Sequence, residues 1–135
     1  MIKTTAHIAK ETYKTELESP SGNSLICDEP IDKGGKDLGF SPKELLTASL
    51  AACTTITLRM YADHKQWDLQ EVNIEVELTR DENDKTKTII TRKMEFIGNL
   101  DEEQRDRLMQ IANSCPVHKM LTSPIELITA VVKNK

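Results

Sequence analysis

The amino-acid sequence predicts an α+β fold in which antiparallel sheets pack around one long, buried central helix. The first observation is a run of apolar and small residues from Leu45 to Ile56, which leaves a helix there without a wide polar face. The second is the grouping of the predicted elements, with strands first, the long helix next, and then a strand pair, two shorter helices and a last strand. Such grouping is typical of α+β domains. At 135 residues the chain is expected to form a single domain, residues 1–135.

Short strands are predicted before the long helix. Residues 3–19 contain two stretches that mix Thr, Ile, Tyr and Leu with charges, which suits strands with one solvated face, and the turn between them is placed near residues 10–12. A third strand, residues 24–27, follows the turn cluster at residues 19–23. Residues 28–40 are rich in glycine and have no periodicity, so they are predicted to be a loop, either a connector or a lid over a site.

The long helix has a clear beginning. Ser41 and Glu44 can form a capping box, in which the serine hydroxyl accepts from the Glu44 N–H and the glutamate carboxylate accepts from the Ser41 N–H. Pro42 takes the first helical position, where its missing N–H costs nothing. The helix is predicted to run to about Lys65, with Cys53 near its middle.

The remaining elements follow the long helix. Residues 69–80 alternate between apolar and polar side chains, as a half-buried strand does, and residues 86–97 return as its hairpin partner. A variant capping box at Asp101 begins the second helix, and Pro116 interrupts that helix and begins a new helical turn. Residues 125–132 are predicted to form the last strand.

Charge and composition argue against two classes of partner. The formal net charge is −4 and the chain has one Trp, two Tyr and two Phe, so it offers neither a basic surface nor a stacking platform for nucleic acid. No stretch approaches the roughly 18 consecutive apolar residues of a membrane span, and the first residues lack the apolar core of a signal peptide. We therefore expect a cytoplasmic protein with no nucleic-acid partner and no membrane partner.

The cysteines are the main candidates for chemistry. Cys27, Cys53 and Cys115 are widely spaced, which does not indicate a secreted disulfide framework, so they are either inert core thiols or include a redox pair. Cys115 precedes Pro116 at the cap of a helical turn, where free backbone N–H groups lower a thiol pKa. Cys53 lies on an apolar helix, where desolvation raises the thiol pKa unless a cation or donor is near.

Cys115 and His118 also form a C-x-x-H pair, which would supply two ligands to a zinc site completed by His64 or Cys53. No second closely spaced pair is present, so a metal site is the lesser possibility. The same pair could act as nucleophile and base, although the local sequence has no acyl-transfer signature. We expect no metal and no cofactor, and we expect the histidines to be surface or cap residues.

Two motifs resemble those of a known family. Residues 39–53 read GFSPKELLTASLAAC and residues 113–118 read NSCPVH. Together they resemble the family of osmotically inducible protein C and the organic hydroperoxide resistance proteins, and the order of strands and helices extends the resemblance over nearly the whole chain. The resemblance implies the OsmC-like fold and an intertwined homodimer with its sites at the subunit interface.

The same resemblance implies a thiol-dependent peroxidase that reduces organic hydroperoxides. Cys53 would be the peroxidatic cysteine, whose thiolate attacks the O–O bond and becomes a sulfenic acid. Cys115 would be the resolving cysteine, which condenses with it to a disulfide. An external dithiol would then regenerate the two thiols.

The family's peroxidases hold the thiolate with an arginine from the N-terminal part of the chain, whereas no arginine precedes Arg59 in this sequence. Arg59 lies six residues after Cys53 and points away from it on a helix. Lys33 or Lys36 could substitute for the arginine, but a lysine lacks its planar bidentate fork. Glu44 is assigned to the helix cap. A second possible function is therefore a dimer of the same fold that binds a small apolar ligand without peroxidase turnover.

Overall fold

The computed structural model describes residues 2–133, and its elements follow the predicted order with one exception at the end of the chain. The helices and strands are β1 Thr5–His7, β2 Thr15–Glu18, β3 Ser24–Cys27, α1 Pro42–Lys65, β4 Asp68–Arg80, β5 Thr88–Asn99, α2 Glu102–Ile111 and α3 Pro116–Leu121, with short 3₁₀ turns at Ile31–Lys33 and Ala112–Ser114. Backbone contacts divide the chain into two units. One contains residues up to 48 together with 77–90, and the other contains residues 49–76 and those from 91 onward.

The first unit contains an antiparallel sheet of β1, β2 and β3. Thr5 pairs with Glu18 across the first two strands, and Thr15 pairs with Cys27 across the second and third. The third strand has the predicted bounds, and the predicted turn at residues 10–12 lies between β1 and β2. The expectation of an α+β fold with antiparallel sheets is confirmed.

Asp28 follows β3 and holds the next loop in one shape. The residue is only 2% exposed, and its carboxylate accepts hydrogen bonds from the backbone N–H groups of Tyr13 (3.2 Å), Glu29 (2.7 Å), Lys36 (3.2 Å) and Leu38 (3.3 Å). Burial raises the pKa of this carboxyl group, but the four donors lower it by more, so the pKa lies below its ordinary value. The loop is thus anchored to Asp28.

The loop also depends on its glycines, as predicted. Gly34 adopts a φ of 92°, in the left-handed region that favours glycine. A side chain at Gly35 would collide with the carbonyl group of Glu29, and one at Gly39 would collide with that of Ile26.

Replacing Asp28 with asparagine is expected to lower the Tm by several degrees at neutral pH, because the amide turns its own N–H groups toward backbone donors. The lowered pKa of Asp28 stabilises the fold above the unfolded value of 3.8, and this stabilisation is lost as the pH falls through the folded value. The variant should therefore lose less stability than wild type on acidification. Thermal melts at neutral pH and at about pH 3 measure both effects.

Asp32→Asn is the control for this prediction, because Asp32 is an exposed acid in the same loop. It should melt like the wild type at both pH values. Equal melting temperatures for Asp28→Asn and the wild type at neutral pH would contradict the anchoring role of Asp28.

α1 begins at the predicted capping box. The Ser41 N–H donates to Glu44 Oε1 at 2.9 Å, and the Glu44 N–H donates to Ser41 Oγ at 3.3 Å. The helix then runs from Pro42 to Lys65, as predicted. The assignment of Glu44 to the cap is confirmed.

Within a single chain, α1 is buried along one stripe. This stripe is narrower than the apolar sequence of the helix indicates. The buried positions recur every four residues: Leu50, Thr54, Leu58 and Ala62. Other apolar side chains remain open, such as Ile56 at 53% and Met60 at 68% exposure. Among the described residues, α1 is also the one helix whose length and mean hydropathy of 1.2 would allow a membrane span. Core helices share that property, and Leu58 and Ala62 of α1 belong to a buried hydrophobic cluster.

The second unit forms a hydrophobic core between α1, β4 and α2. The buried members of this cluster are Leu58, Ala62, Leu69, Leu108 and Ala112. Trp67, Met94 and Phe96 are partly buried and pack against them. Leu108 is fully buried, so α2 contributes a central side chain to this core.

β4, β5 and α2 form where they are predicted. The side chains of both strands alternate between half-buried and exposed positions. The N-terminal cap of α2 is the predicted capping box, because the Asp101 N–H donates to Gln104 Oε1 at 2.9 Å and the Gln104 N–H donates to Asp101 Oδ1 at 2.7 Å. Pro116 begins α3, also as predicted.

The predicted last strand, residues 125–132, is wrong for a single chain. These residues form neither helix nor strand, and their apolar side chains are open to solvent, with Leu127 87% and Val132 92% exposed. The segment is rich in β-branched residues, as strands are, but a strand also needs a neighbour for its backbone hydrogen bonds. None of the strands in residues 2–133 pairs with this segment.

Candidate functional site

The two motif cysteines meet within the second unit. Cys53 lies on α1, one residue before the buried Thr54, and is partly exposed. Cys115 lies between the Ala112–Ser114 turn and α3, and is fully buried at 0% exposure. Both are free thiols, and they are close enough to shift each other's pKa. The third cysteine, Cys27, lies in β3 of the first unit and is also free.

The surroundings push the pKa values of the two thiols in opposite directions. Burial raises the pKa of Cys53, the Cys115 thiol raises it further, and the Val117 N–H and the Thr57 hydroxyl only partly offset this. The net result is a raised pKa for Cys53. The proton of the pair therefore rests preferentially on Cys53 when one of the two thiols ionises.

Cys115 has the lower pKa although it is buried. Burial raises its pKa, but the Cys53 thiol, the backbone N–H of His118, the Thr54 hydroxyl and the N–H of Val117 together lower it by more. This confirms the prediction from the sequence that N–H groups after Cys115 favour its thiolate. Cys27 differs, because burial and then the charges of Glu29 and Asp28 raise its pKa.

Arg92 is the cation beside this pair, and sequence reasoning missed it. Its Nη1 donates to Thr54 Oγ at 3.0 Å and to the Ala112 carbonyl at 3.1 Å. Its Nη2 donates to Asn113 Oδ1 at 3.0 Å and to His118 Nδ1 at 2.8 Å. These acceptors lie on α1 and on both sides of Cys115.

His118 must be neutral in this arrangement. A guanidinium group only donates, so Nδ1 of His118 accepts and the ring hydrogen is on Nε2. Burial lowers the pKa of His118, and the charge of Arg92 lowers it further. His118 is partly buried and bound to Arg92, so the expectation that it is a surface or cap histidine is wrong.

The other candidate cations have different contacts. Arg59 donates to Asp63 and to the Leu69 carbonyl, in agreement with its predicted direction away from Cys53. Lys36 pairs with Glu11 at 3.3 Å, and Lys33 lies in the 3₁₀ turn of the first unit.

The contacts do not favour the zinc alternative. Within the described residues, no group of three or more His, Cys, Asp and Glu side chains is placed to hold a metal ion. Nδ1 of His118 is bound to Arg92, so a metal at that atom would have to displace a cation. Cys53 lies beside Cys115, but together with His118 these side chains do not form such a group.

The comparison with known families identifies the class of protein. Residues 34–130 match the family described as OsmC-like protein. The chain therefore belongs to the OsmC-like protein family, as the two motifs and the order of elements predict. Its fold is that of a protein that does not span a membrane.

Solved structures share this fold over most of the chain. A Psychrobacter arcticus protein described as an osmotic stress induced and detoxification response protein is 25% identical, with 89% of this chain and 88% of that chain covered and a TM-score of 0.75. An OsmC-like protein from Mycoplasma pneumoniae is 21% identical, with coverages of 90% and 86% and a TM-score of 0.76. The organic hydroperoxide resistance protein OhrB of Bacillus subtilis is 24% identical, with coverages of 90% and 90% and a TM-score of 0.61. A search of curated protein sequences found no match.

Proposed function

We propose that this protein is a thiol-dependent peroxidase that reduces organic hydroperoxides through Cys53 and Cys115. The observation that carries the proposal is the meeting of one partly exposed and one buried thiol, each from a separate family motif. Membership of the OsmC-like family supports it, as does the similar fold of proteins named for organic hydroperoxide resistance.

The difference in exposure supports the proposed roles of the two thiols. A hydroperoxide can reach Cys53, whereas Cys115 is fully buried and can react only with a neighbour. The pKa of Cys53 is raised and that of Cys115 is lowered, so the proton stays preferentially on Cys53 when one of the two thiols ionises. Transfer of that proton from Cys53 to Cys115 produces the accessible thiolate, which is the nucleophile.

The reaction then proceeds in two balanced steps. The Cys53 thiolate attacks the hydroperoxide, an S–O bond forms, the O–O bond breaks, and the alkoxide leaves as an alcohol after taking a proton from water. Cys115 next attacks the Cys53 sulfur, an S–S bond forms, and the hydroxyl group leaves as water with the Cys115 proton. An external dithiol supplies the two electrons that restore both thiols.

The proposal includes a homodimer in the cytoplasm. One chain leaves much apolar surface open, including the faces of α1 at Ile56 and Met60 and the segment at residues 125–132, and a second copy would cover it. A reducing compartment would keep the three cysteines as free thiols and would supply the dithiol.

Counting thiols after exposure to cumene hydroperoxide tests the proposal. The reduced chain has three free cysteines, so loss of the proposed pair should leave one per chain, and dithiothreitol should restore all three. An unchanged thiol count would sink the proposal.

The second candidate function is the binding of a small apolar ligand without turnover. A cavity of about 330 Å³ in the first unit favours it, since Leu17, Leu25 and Leu45 lie in its wall. A ligand that copurifies with the wild type, together with undiminished function in Cys53→Ser, would support this candidate. Loss of function in that variant would count against it.

A further inference from the structure

Arg92 joins three segments that meet at the thiol pair. One acceptor, Thr54, lies on α1 next to Cys53, and two others, Ala112 and Asn113, lie in the turn before Cys115. The fourth, His118, lies on α3 after Cys115. The four Nη hydrogens of one guanidinium group are thereby all used.

We propose that Arg92 is the positioning residue of the thiol pair, because its guanidinium group holds both sides of the Cys115 segment against α1 at Cys53. The consequence for turnover rests on the proposed peroxidase function. The consequence for the rate at which the two thiols close to a disulfide does not rest on that function.

Thr54 links Arg92 to the thiols. Its side chain is fully buried, and its hydroxyl has a single hydrogen, which the Leu50 carbonyl at 2.7 Å can accept. Because Arg92 donates to the same oxygen, the hydroxyl hydrogen cannot turn toward Arg92 and stays available to Leu50 or to the Cys115 sulfur. Arg92 therefore limits the hydrogen of the Thr54 hydroxyl to these two acceptors.

The partners of Arg92 suit an arginine rather than a lysine. All four are neutral acceptors, and no carboxylate in residues 2–133 pairs with Arg92. A planar guanidinium group reaches acceptors on two sides in fixed directions, whereas an ammonium group is a compact charge with three donors. Its charge also opposes protonation of His118, which would otherwise place a second cation against Nη2.

Positioning of this kind has a measurable consequence for disulfide closure. Two thiols react quickly when they are held in a fixed mutual geometry, and a misplacement of about 1 Å can slow such a step by about a hundredfold. Loss of the Arg92 contacts releases the Cys115 segment from α1. We therefore expect slower closure of the disulfide in a variant that lacks these contacts.

The chain offers a matched control in Arg105 of α2. Its guanidinium group also fixes backbone, through the carbonyl groups of Phe96 at 2.6 Å, Gly98 at 3.2 Å and Leu100 at 3.3 Å. None of these acceptors lies beside Cys53 or Cys115 in the chain. Arg105→Gln removes a structural guanidinium clamp without touching the thiol pair.

The experiment measures disulfide closure in full-length reduced protein with diamide, which oxidises two thiols to a disulfide and is itself reduced to a hydrazine. Arg92→Gln should close about tenfold to a hundredfold more slowly than wild type. Arg92→Lys keeps the charge but not the planar fork, so it should resemble Arg92→Gln. Arg105→Gln should close within about twofold of wild type, even where its Tm falls.

Alkylation of Cys53 by iodoacetamide at a series of pH values adds a readout that a purely structural loss would not move. The Cys115 thiol raises the pKa of Cys53, so release of the Cys115 segment should shift the profile of Arg92→Gln to lower pH, whereas the profile of Arg105→Gln should not shift. Thr54→Val removes one acceptor of Arg92 while keeping the buried volume, and it should slow closure even if Arg92→Gln fails to fold.

Several outcomes would overturn the inference. The first is closure at the wild-type rate in Arg92→Gln or, if that variant does not fold, in Thr54→Val. The second is slowing of closure in Arg105→Gln that equals the slowing in Arg92→Gln. Diamide closure is independent of hydroperoxide. A wild type that is inert toward cumene hydroperoxide but needs Arg92 for closure would therefore contradict the peroxidase and support the positioning role.

Discussion

The Cys53→Ser variant is expected to consume cumene hydroperoxide at least about a thousandfold more slowly than wild type, because a serine hydroxyl is not ionised at neutral pH and cannot act as the thiolate nucleophile. Cys53 is the partly exposed member of the pair, so no other thiol at the site can take its place. Hydroperoxide loss with dithiothreitol in excess measures the effect.

Cys27→Ser is the matched control for Cys53→Ser. Cys27 is a free thiol in β3 of the first unit, and its replacement should leave hydroperoxide consumption near the wild-type rate. Wild-type consumption by Cys53→Ser would contradict the assigned roles. A loss in Cys27→Ser equal to that in Cys53→Ser would also contradict them.

The Leu108→Ala variant is expected to lose about 2–5 kcal/mol of unfolding free energy, since it removes buried methyl groups and leaves a cavity in the core of the second unit. Leu108 is 0% exposed and packs with Leu58 of α1, on the same buried stripe as Thr54. Urea or thermal unfolding measures the loss.

Met109→Ala is the control on the same helix, because Met109 is 64% exposed and its truncation leaves no core cavity. Its unfolding free energy should stay within about 0.5 kcal/mol of wild type. Similar losses in Leu108→Ala and Met109→Ala would contradict the placement of Leu108 at the centre of the core.

Local chemistry explains why most elements are predictable from the sequence. The capping boxes at Ser41 and Asp101 each need only residues three positions apart, so the sequence reveals them directly. The break at Pro116 follows from its missing N–H in the same way. The two cysteine motifs identify the family, but their meeting depends on the packing of α1 against a distant segment.

Arg92 was missed because its partners lie 20 or more residues away in the chain. A signal was nevertheless present. Positions 90, 92, 94, 96 and 98 of β5 are the half-buried ones, so Arg92 is a charge on the apolar face, in phase with Met94 and Phe96. A charged residue on that face needs buried acceptors, and this requirement points to a specific site.

The last predicted strand shows the opposite limit of sequence reasoning. Residues 125–132 are rich in β-branched residues, as strands are, but composition does not report which strand edge lies beside a segment. Within one chain the apolar side chains of this segment remain exposed. Asp28 was missed for a related reason, since its backbone donors are Glu29, Lys36 and Leu38 in the loop and Tyr13 before β2.

The measurement that tests the central claim most directly is peptide mapping of the full-length protein after one equivalent of cumene hydroperoxide. After alkylation under non-reducing conditions and digestion, the protein should yield a pair of peptides joined through Cys53 and Cys115, with Cys27 alkylated. A disulfide that includes Cys27, or three alkylated cysteines in hydroperoxide-treated protein, would contradict the account.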